Sequence, residues 1–235
     1  MTELLRLDKA LSNMGIASRK EIKSYVKQGR IIINGEKATS SDCKISSMDV
    51  ITLDGQNVSY QAFEYYMLNK PAGVISATKD SAKTVIDLIP SGRKDLFPVG
   101  RLDKDTVGLL IITNDGPLAH RLLSPNHHIP KTYYAKCEGS ITEEGINRIT
   151  RGLQTATEQF KPADITVHNN REGFEATITI YEGKYHEVKR IFQAVGARVI
   201  YLKRLSMGSL HLDESLPEGS YRPLTQSEIE ILKQE

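Results

Sequence analysis

Apolar residues in the C-terminal two thirds of the chain follow the spacing of strands in some segments and of helices in others. The run Val107–Thr113 is short and aliphatic, and a glycine and an Asn-Asp-Gly turn signal flank it. These features predict a buried β-strand. Apolar and polar residues alternate over 174–181, which predicts a strand with one buried face. Further strands are predicted at 65–68, 131–134 and 199–202, and helices at 84–89, 118–123, 142–149, 188–195 and 225–232.

The N-terminal part of the chain shows helical spacing and then hairpin signals. Apolar residues recur every three or four positions over 6–14, which predicts a helix. Ser18 and Glu21 have the spacing of a capping box, and the helix that they begin is expected to end at Gly29. Two short strands are predicted before Asn-Gly and Asp-Gly turns, at 31–33 and 50–53. A mostly polar stretch, 56–61, is the predicted linker to the rest of the chain.

The composition is that of an ordinary soluble chain. Of 235 residues, 39% are hydrophobic and 26% are charged, and the net charge is only +2, so any RNA binding would depend on local clusters of cations. Cys43 and Cys137 form neither a disulfide framework nor a zinc spacing, which fits a reducing cytosol. No apolar run approaches the ~18 residues of a membrane span, and the N-terminus lacks the apolar region of a signal peptide. We therefore expect a cytoplasmic protein without a membrane segment.

Charged residues cluster in the loop before the predicted strand at 107–113. This loop carries Arg101, Asp103 and Asp105. Because a buried strand holds its own end rigidly, the loop would present these side chains from a fixed base, as a catalytic loop requires. The simpler interpretation is a solvated loop whose charges only serve solubility.

The loop belongs to a longer pattern over 100–116, which runs through Gly100-Arg101-Leu102-Asp103, Thr106, Gly108-Leu109-Leu110 and Thr113-Asn114-Asp115-Gly116. This pattern resembles the signature of the pseudouridine synthases, in the RsuA-type branch that modifies ribosomal RNA. A Lys-Pro-x-Gly segment at 70–73, a Lys-x-Tyr at 131–133 and a basic block at 182–190 match further motifs of that family, although Glu187 stands where many relatives have glutamine.

The resemblance implies roles for individual residues. Asp103 would be the catalytic aspartate, either attacking the sugar or removing a proton from it. Tyr133 would stack on the target base, and Lys189 would pair with Asp103 and stabilise its negative charge. Arg101 would fill the gap that the flipped base leaves or hold a phosphate, and Lys70 is expected to be structural. Isomerising uridine transfers no outside group and changes no oxidation state, so no cofactor is expected.

The N-terminal module resembles the S4-type RNA-binding domain over 6–49. In its second predicted helix, basic residues recur every fourth position, and others lie beside them. The resemblance implies that these side chains contact RNA phosphates, giving salt-sensitive binding with little sequence reading. The alternative is a solvated basic helix face. The residues concerned are Arg19, Lys20, Lys23, Lys27 and Arg30.

Together these features predict an α+β protein of two domains. A small α/β RNA-binding domain over 1–59 would precede a catalytic domain over 60–235, built on a mixed, mainly antiparallel sheet flanked by helices. We expect a monomer that isomerises one uridine in ribosomal RNA, in the free RNA or in a ribosomal assembly intermediate, with the small subunit favoured. The alternatives are a large-subunit target, an RNA-binding protein without activity, and a hydrolase that uses Asp103 with Asp105 and releases uracil.

Overall fold

The structure, a computed structural model, describes residues 4–155, 158–170 and 173–235. The chain divides into two compact units. The first consists of residues 1–64 together with 90–96, and the second of 65–89 together with 97–235. The predicted domain boundary at 59/60 stays a prediction. In the described ranges, no helix is both long enough and apolar enough to span a bilayer.

The first unit pairs two helices with short strands. Its elements are β1 Leu5–Arg6, α1 Leu7–Asn13, α2 Arg19–Lys27, β2 Ile31–Ile33, β3 Glu36–Lys37, β4 Lys44–Ile45, β5 Ile51–Leu53 and β6 Gln56–Val58. Strands β3-β2-β5-β6 form one antiparallel sheet, and β1 pairs with β4. The core of this unit is aliphatic, with Leu7, Leu11, Ile22, Ile31 and Ile51 almost completely buried.

Local sequence signals explain most of these boundaries. The capping box is present, because Ser18 N donates to Glu21 Oε2 at 2.8 Å and Glu21 N donates to Ser18 Oγ at 3.3 Å.

The predicted linker at 56–61 was wrong in its first half. The Asp-Gly turn at 54–55 has positive φ at both residues, which is the geometry of a tight hairpin, so 56–58 fold back onto β5 as strand β6.

The second unit is built on one large sheet. Its helices are α3 Gly116–Leu123, α4 Glu143–Arg151, α5 Glu187–Ala194 and α6 Gln226–Gln234, and Ile86–Leu88 forms a single 3₁₀ turn. Its strands are β7 Tyr65–Lys70, β8 Phe97–Pro98, β9 Val107–Thr113, β10 Lys131–Glu138, β11 Leu153–Gln154, β12 Gln159–Phe160, β13 Asp164–Asn170, β14 Gly173–Ile180, β15 Arg198–Met207, β16 Leu210–His211 and β17 Tyr221–Pro223.

The strand order of this sheet is mixed and mainly antiparallel, as predicted. Within the described residues nine strands join, in the order β13-β14-β10-β15-β9-β7-β17, with β16 beside β15 and β8 beside β9. The pair β15–β9 is parallel, and the other pairs along this order are antiparallel. The α+β fold class is therefore confirmed. Strand β13, for which we made no prediction, is the outermost strand at one end of this order.

Strand β9 lies inside the sheet, and all seven of its residues are buried. Gly108 has φ +99, and a Cβ there would lie 2.3 Å from the Arg204 carbonyl oxygen of β15. Only glycine allows β15 to approach this closely. The charged loop leads directly into β9. Strand β15, from late in the chain, therefore fixes the position at which the loop ends.

The two faces of β10 differ, as the alternation of its residues requires. Tyr133, Ala135 and Cys137 are buried on one face, while Tyr134 and Lys136 lie on the other. The buried face continues onto β14, where Phe174 packs against Phe192 of α5 with ring centroids 5.8 Å apart. Helix α5 therefore lies on the same side of the sheet as Tyr133.

Asp115 links two elements of the second unit from a buried position. Its Oδ1 accepts from Leu118 N at 3.0 Å as the N-cap of α3, and its Oδ2 accepts from the Tyr65 hydroxyl at 2.7 Å. Thr142 is an exposed N-cap, whose hydroxyl accepts from Gly145 N at 3.0 Å.

We predict that Asp115→Ala lowers the free energy of unfolding by about 2–3 kcal/mol, because a cap and a buried hydrogen bond are both lost. Thr142→Ala is the matched control and should cost about 1 kcal/mol. Urea titration of both variants measures the difference. Equal losses would show that the bond to Tyr65 adds nothing.

Candidate active site and basic helix face

The loop between β8 and β9 is held from beneath by the segment that follows β7. Ser76 Oγ donates to the Leu102 carbonyl at 2.9 Å and accepts from Leu102 N at 3.1 Å. Gly73 N donates to the Lys104 carbonyl at 2.7 Å. Thr106 N closes the loop on the Asp103 carbonyl at 3.1 Å. The backbone around Asp103 is therefore fixed on both sides.

Lys70 completes this support from a fully buried position. Its Nζ donates to the carbonyls of Pro71, Lys104 and Thr106 at 3.0, 3.3 and 2.9 Å. Burial lowers its pKa to about 8, although the carboxylates of Asp105 and Asp103 oppose the shift. These contacts are the structural role that the resemblance implies for Lys70.

Lys189, from the first turn of α5, contacts both carboxylates of the loop. Its Nζ lies 2.9 Å from Asp103 Oδ2 and 2.7 Å from Asp105 Oδ1. Burial alone would lower the pKa of Lys189, but the hydrogen bonds to the two carboxylates outweigh it and raise that pKa. The hydrogen bond from Lys189 stabilises the carboxylate of Asp105 and so lowers the pKa of Asp105. The Asp103 side chain keeps 23% of its surface exposed, so it is paired and still reachable from solvent.

His186 is a second neighbour of Asp103. Its Nε2 lies 3.4 Å from Asp103 Oδ1, whereas Lys189 Nζ lies 2.9 Å from Asp103 Oδ2. His186 precedes α5 in a left-handed conformation, with φ 52. The segment before it is held by Glu187, whose Oε2 accepts from Gly183 N and Lys184 N at 2.6 Å each. An acceptor role at position 187 is therefore compatible with glutamate as well as with glutamine.

Tyr133 forms part of the inner wall of this site, and Arg204 lies beside it. Tyr133 is 7% exposed and lines a pocket together with Asp103, His186 and Leu202. Burial raises the pKa of the Tyr133 hydroxyl, and the nearby Arg204 guanidinium opposes that shift. Arg204 Nε donates to the Leu109 carbonyl at 2.7 Å. The pocket thus has a carboxylate and an aromatic ring, the two groups that the resemblance assigns to sugar chemistry and base stacking.

The site brings together most of the residues predicted for it. Asp103, Tyr133, Arg101 and Lys189 belong to one site, since the first three line the pocket and Lys189 contacts Asp103. Arg101 is exposed at this pocket. The sequence interpretation missed His186. No sequence signal pointed to it, because His186 reaches Asp103 from a left-handed residue ahead of α5, where helical spacing does not apply.

The remaining predicted residues form the basic face of α2. Arg19, Lys20, Lys23 and Lys27 are exposed. The buried side of the same helix is formed by Ile22 and Val26. The four cations therefore face solvent from a helix whose other side is anchored in the core.

Arg30 differs from the other four cations because acidic and aromatic side chains hold it. Its Nε and Nη2 contact Asp54 at 2.8 and 2.5 Å, and its guanidinium lies 4.1 Å from the centre of the Tyr25 ring. Two of the nitrogens of Arg30 are therefore already occupied and are less available to an RNA phosphate than the side-chain donors of the α2 cations.

Within the described ranges, no cluster of His, Cys, Asp or Glu is arranged to hold a metal ion.

Comparison with protein families matches both parts of the chain. The family model for RNA pseudouridylate synthase covers residues 64–194, and the S4 domain model covers 5–51. In solved structures, a crystal structure of a pseudouridylate synthase is 37% identical and superposes with a TM-score of 0.68, over 97% of this chain and 99% of that one.

Curated relatives align over nearly their whole length. An uncharacterized RNA pseudouridine synthase of Bacillus subtilis is 46% identical over 98% of this chain and 99% of its own. The ribosomal small subunit pseudouridine synthase A of Haemophilus influenzae is 38% identical, over 97% and 99%. The ribosomal large subunit pseudouridine synthase B of Bacillus subtilis is 35% identical, over 97% and 95%. This chain, with an S4 domain ahead of its catalytic fold, belongs to the RNA pseudouridylate synthase family.

Proposed function

We propose that this chain converts a uridine of ribosomal RNA to pseudouridine and that Asp103 is its catalytic carboxylate. The reaction breaks the bond from the sugar to N1 of uracil, turns the base and joins the sugar to C5, and the proton of C5 is lost to restore the ring. The observation that carries the proposal is the position of Asp103, paired with Lys189 and opening onto a pocket lined by Tyr133.

Lys189 holds Asp103 in place for either form of the mechanism. A carboxylate attacks the anomeric carbon, or removes the neighbouring sugar proton, from a defined position beside the sugar. The ammonium of Lys189 lies 2.9 Å from Asp103 Oδ2 and attracts that oxygen. Because the pair is partly exposed, solvent weakens this interaction compared with a fully buried pair. The role of Lys189 is therefore to orient and stabilise the carboxylate.

Tyr133 is the proposed stacking partner of the target base. The uracil must leave its own stack to reach Asp103, which costs a few kcal/mol. Stacking on an aromatic ring returns about 1–3 kcal/mol per base. The ring of Tyr133 is available only inside the pocket, since the residue is almost completely buried. Arg101, exposed at the same pocket, is positioned to fill the gap in the RNA or to bind a phosphate.

The basic face of α2, with Arg30 beside it, is the proposed anchor for the RNA backbone. Arg19, Lys20, Lys23 and Lys27 present four charges on a rigid helix, as phosphate binding without base reading requires. The S4 domain match over this region supports the assignment. Arg30 is the weakest member of the set because Asp54 already occupies two of its nitrogens.

Small-subunit ribosomal RNA is the favoured target. Several of the most similar curated relatives carry the name ribosomal small subunit pseudouridine synthase A, at 36–38% identity. A large-subunit target remains the second candidate, because a large-subunit enzyme matches at 35% identity. We further propose that the protein acts as a monomer in the cytoplasm, on free RNA or on a ribosomal assembly intermediate.

A hydrolase is the less favoured chemistry for the same site. Such an enzyme would use Asp105 as the partner of Asp103. The Asp105 side chain is 75% exposed and shares Lys189 with Asp103, so both carboxylates are held by one cation. An acid–base pair instead requires one carboxylate to carry a proton.

We predict that one pseudouridine disappears from small-subunit ribosomal RNA in a strain lacking this gene. The wild-type gene should restore it, and Asp103→Asn should not, because an amide can neither attack the sugar nor accept its proton. Mapping of pseudouridines in total ribosomal RNA gives the answer, and RNA binding by purified Asp103→Asn should match wild type. If Asp103→Asn restores the pseudouridine, the catalytic assignment of Asp103 is wrong. If the missing pseudouridine lies in large-subunit RNA, the target is the large subunit. Release of uracil would favour the hydrolase.

We predict that changing Arg19, Lys23 and Lys27 together to Ala weakens RNA binding and lowers the slope of log K against log salt by about 2, since each phosphate contact contributes about 0.7 for single strands. The matched control changes three exposed cations of the second unit, Lys136, Arg148 and Arg198, to Ala. Binding titrations at several salt concentrations compare the two. Equal salt slopes for both triple variants would show that the basic face of α2 does not bind the RNA backbone.

A further inference from the structure

A large aromatic side chain lies exposed beside the candidate active site. Tyr185 is 75% exposed, although an aromatic ring of this size is normally at least partly covered. Its ring lies nearly parallel to the imidazole of His186, with centroids 3.7 Å apart and an angle of 20° between the planes. The imidazole covers one face of the ring, and the high exposure of the residue leaves the rest of the ring open to solvent.

The backbone around Tyr185 is fixed. Glu187 accepts two backbone hydrogen bonds from the turn before it, at 2.6 Å each. Arg190 Nη1 donates to the Tyr185 carbonyl at 3.3 Å. His186 adopts a left-handed conformation that residues other than glycine rarely take, and such a conformation persists where the surroundings define it. The backbone that carries the exposed ring is therefore held in place, and the ring itself rests on His186.

The ring stack begins at the proposed catalytic carboxylate. His186 Nε2 lies 3.4 Å from Asp103, and Tyr185 stacks directly on His186. A uridine that enters the pocket leaves its neighbours in the RNA without a stacking partner. The Tyr133 ring cannot serve those neighbours, because it is 7% exposed and lines the pocket itself. Tyr185 is the exposed ring within reach of a nucleotide adjoining the target.

We infer that Tyr185 is a stacking platform for a nucleobase that flanks the target uridine, with His186 bracing the ring from behind. The inference rests on the proposed function, since it adds a second base contact to the same site. The stack is tolerant of base identity, because every nucleobase has an aromatic face. Its contribution is to hold the RNA open while the target base is in the pocket.

The kinetic test compares Tyr185→Ala, Tyr185→Phe and a control, Tyr201→Ala, on an RNA oligonucleotide that contains the mapped uridine. Tyr201 is a half-buried tyrosine of β15 that does not line the pocket. We expect Tyr185→Ala to raise KM by about 10-fold with kcat nearly unchanged, because stacking is present in both the bound and the transition states. Tyr185→Phe keeps the ring and should behave as wild type, as should Tyr201→Ala. The melting curves of Tyr185→Ala and Tyr185→Phe should coincide with that of wild type, since Tyr185 is exposed.

A second measurement reports the stack directly. The same oligonucleotide carries 2-aminopurine on the 5′ or the 3′ side of the uridine and is bound by each variant in an Asp103→Asn background, so that no turnover occurs. Stacking quenches this base, so at one of the two positions the Tyr185→Ala complex should be brighter than the Tyr185→Phe complex. Equal brightness at both positions, with KM unchanged, overturns the platform alone. An inactive wild-type protein overturns the proposed function and the platform with it.

Discussion

The contact of Lys189 with the carboxylates of Asp103 and Asp105 joins two distant parts of the chain, since 84 residues separate Lys189 from Asp105. Both carboxylates are in the loop before a buried strand, and the cation is in the first turn of a helix. Neither partner would have a defined position without the sheet that supports both the loop and the helix. The parallel pairing of β15 with β9 fixes the loop, and packing of α5 on the buried face fixes the lysine.

Much of the second unit serves to keep this contact in place while leaving it open to substrate. Lys70 and Ser76 bind the loop from beneath through its backbone, so the side chain of Asp103 stays available. Gly108 permits the close approach of β15, and Glu187 ties down the turn before α5. The supporting hydrogen bonds are buried or half-buried, whereas Asp103 retains exposure. A rigid base under a reachable carboxylate is what positioning for catalysis requires.

The features that the sequence predicted are those with strong local or family signals. Strand β9 was predicted at its observed bounds because its apolar run ends at turn residues on both sides, and the capping box of α2 was present as expected. The fold class and the family were also predicted, from motifs spread along the chain. Strands β6 and β13 were not, because short polar strands exist only through pairing with a neighbour. His186 was missed since a left-handed residue before a helix has no sequence signature of its own.

The most direct test of the account is the single-turnover rate of Lys189→Met at saturating enzyme on the mapped RNA. Saturation removes differences in binding, so the rate reports the chemical step that we assign to Asp103. Lys104→Met, which removes an exposed cation of the same loop, is the control. We predict a fall of about 100-fold or more for Lys189→Met, the size of effect seen when a positioned electrostatic partner is removed. A Lys189→Met rate equal to that of Lys104→Met would contradict the account.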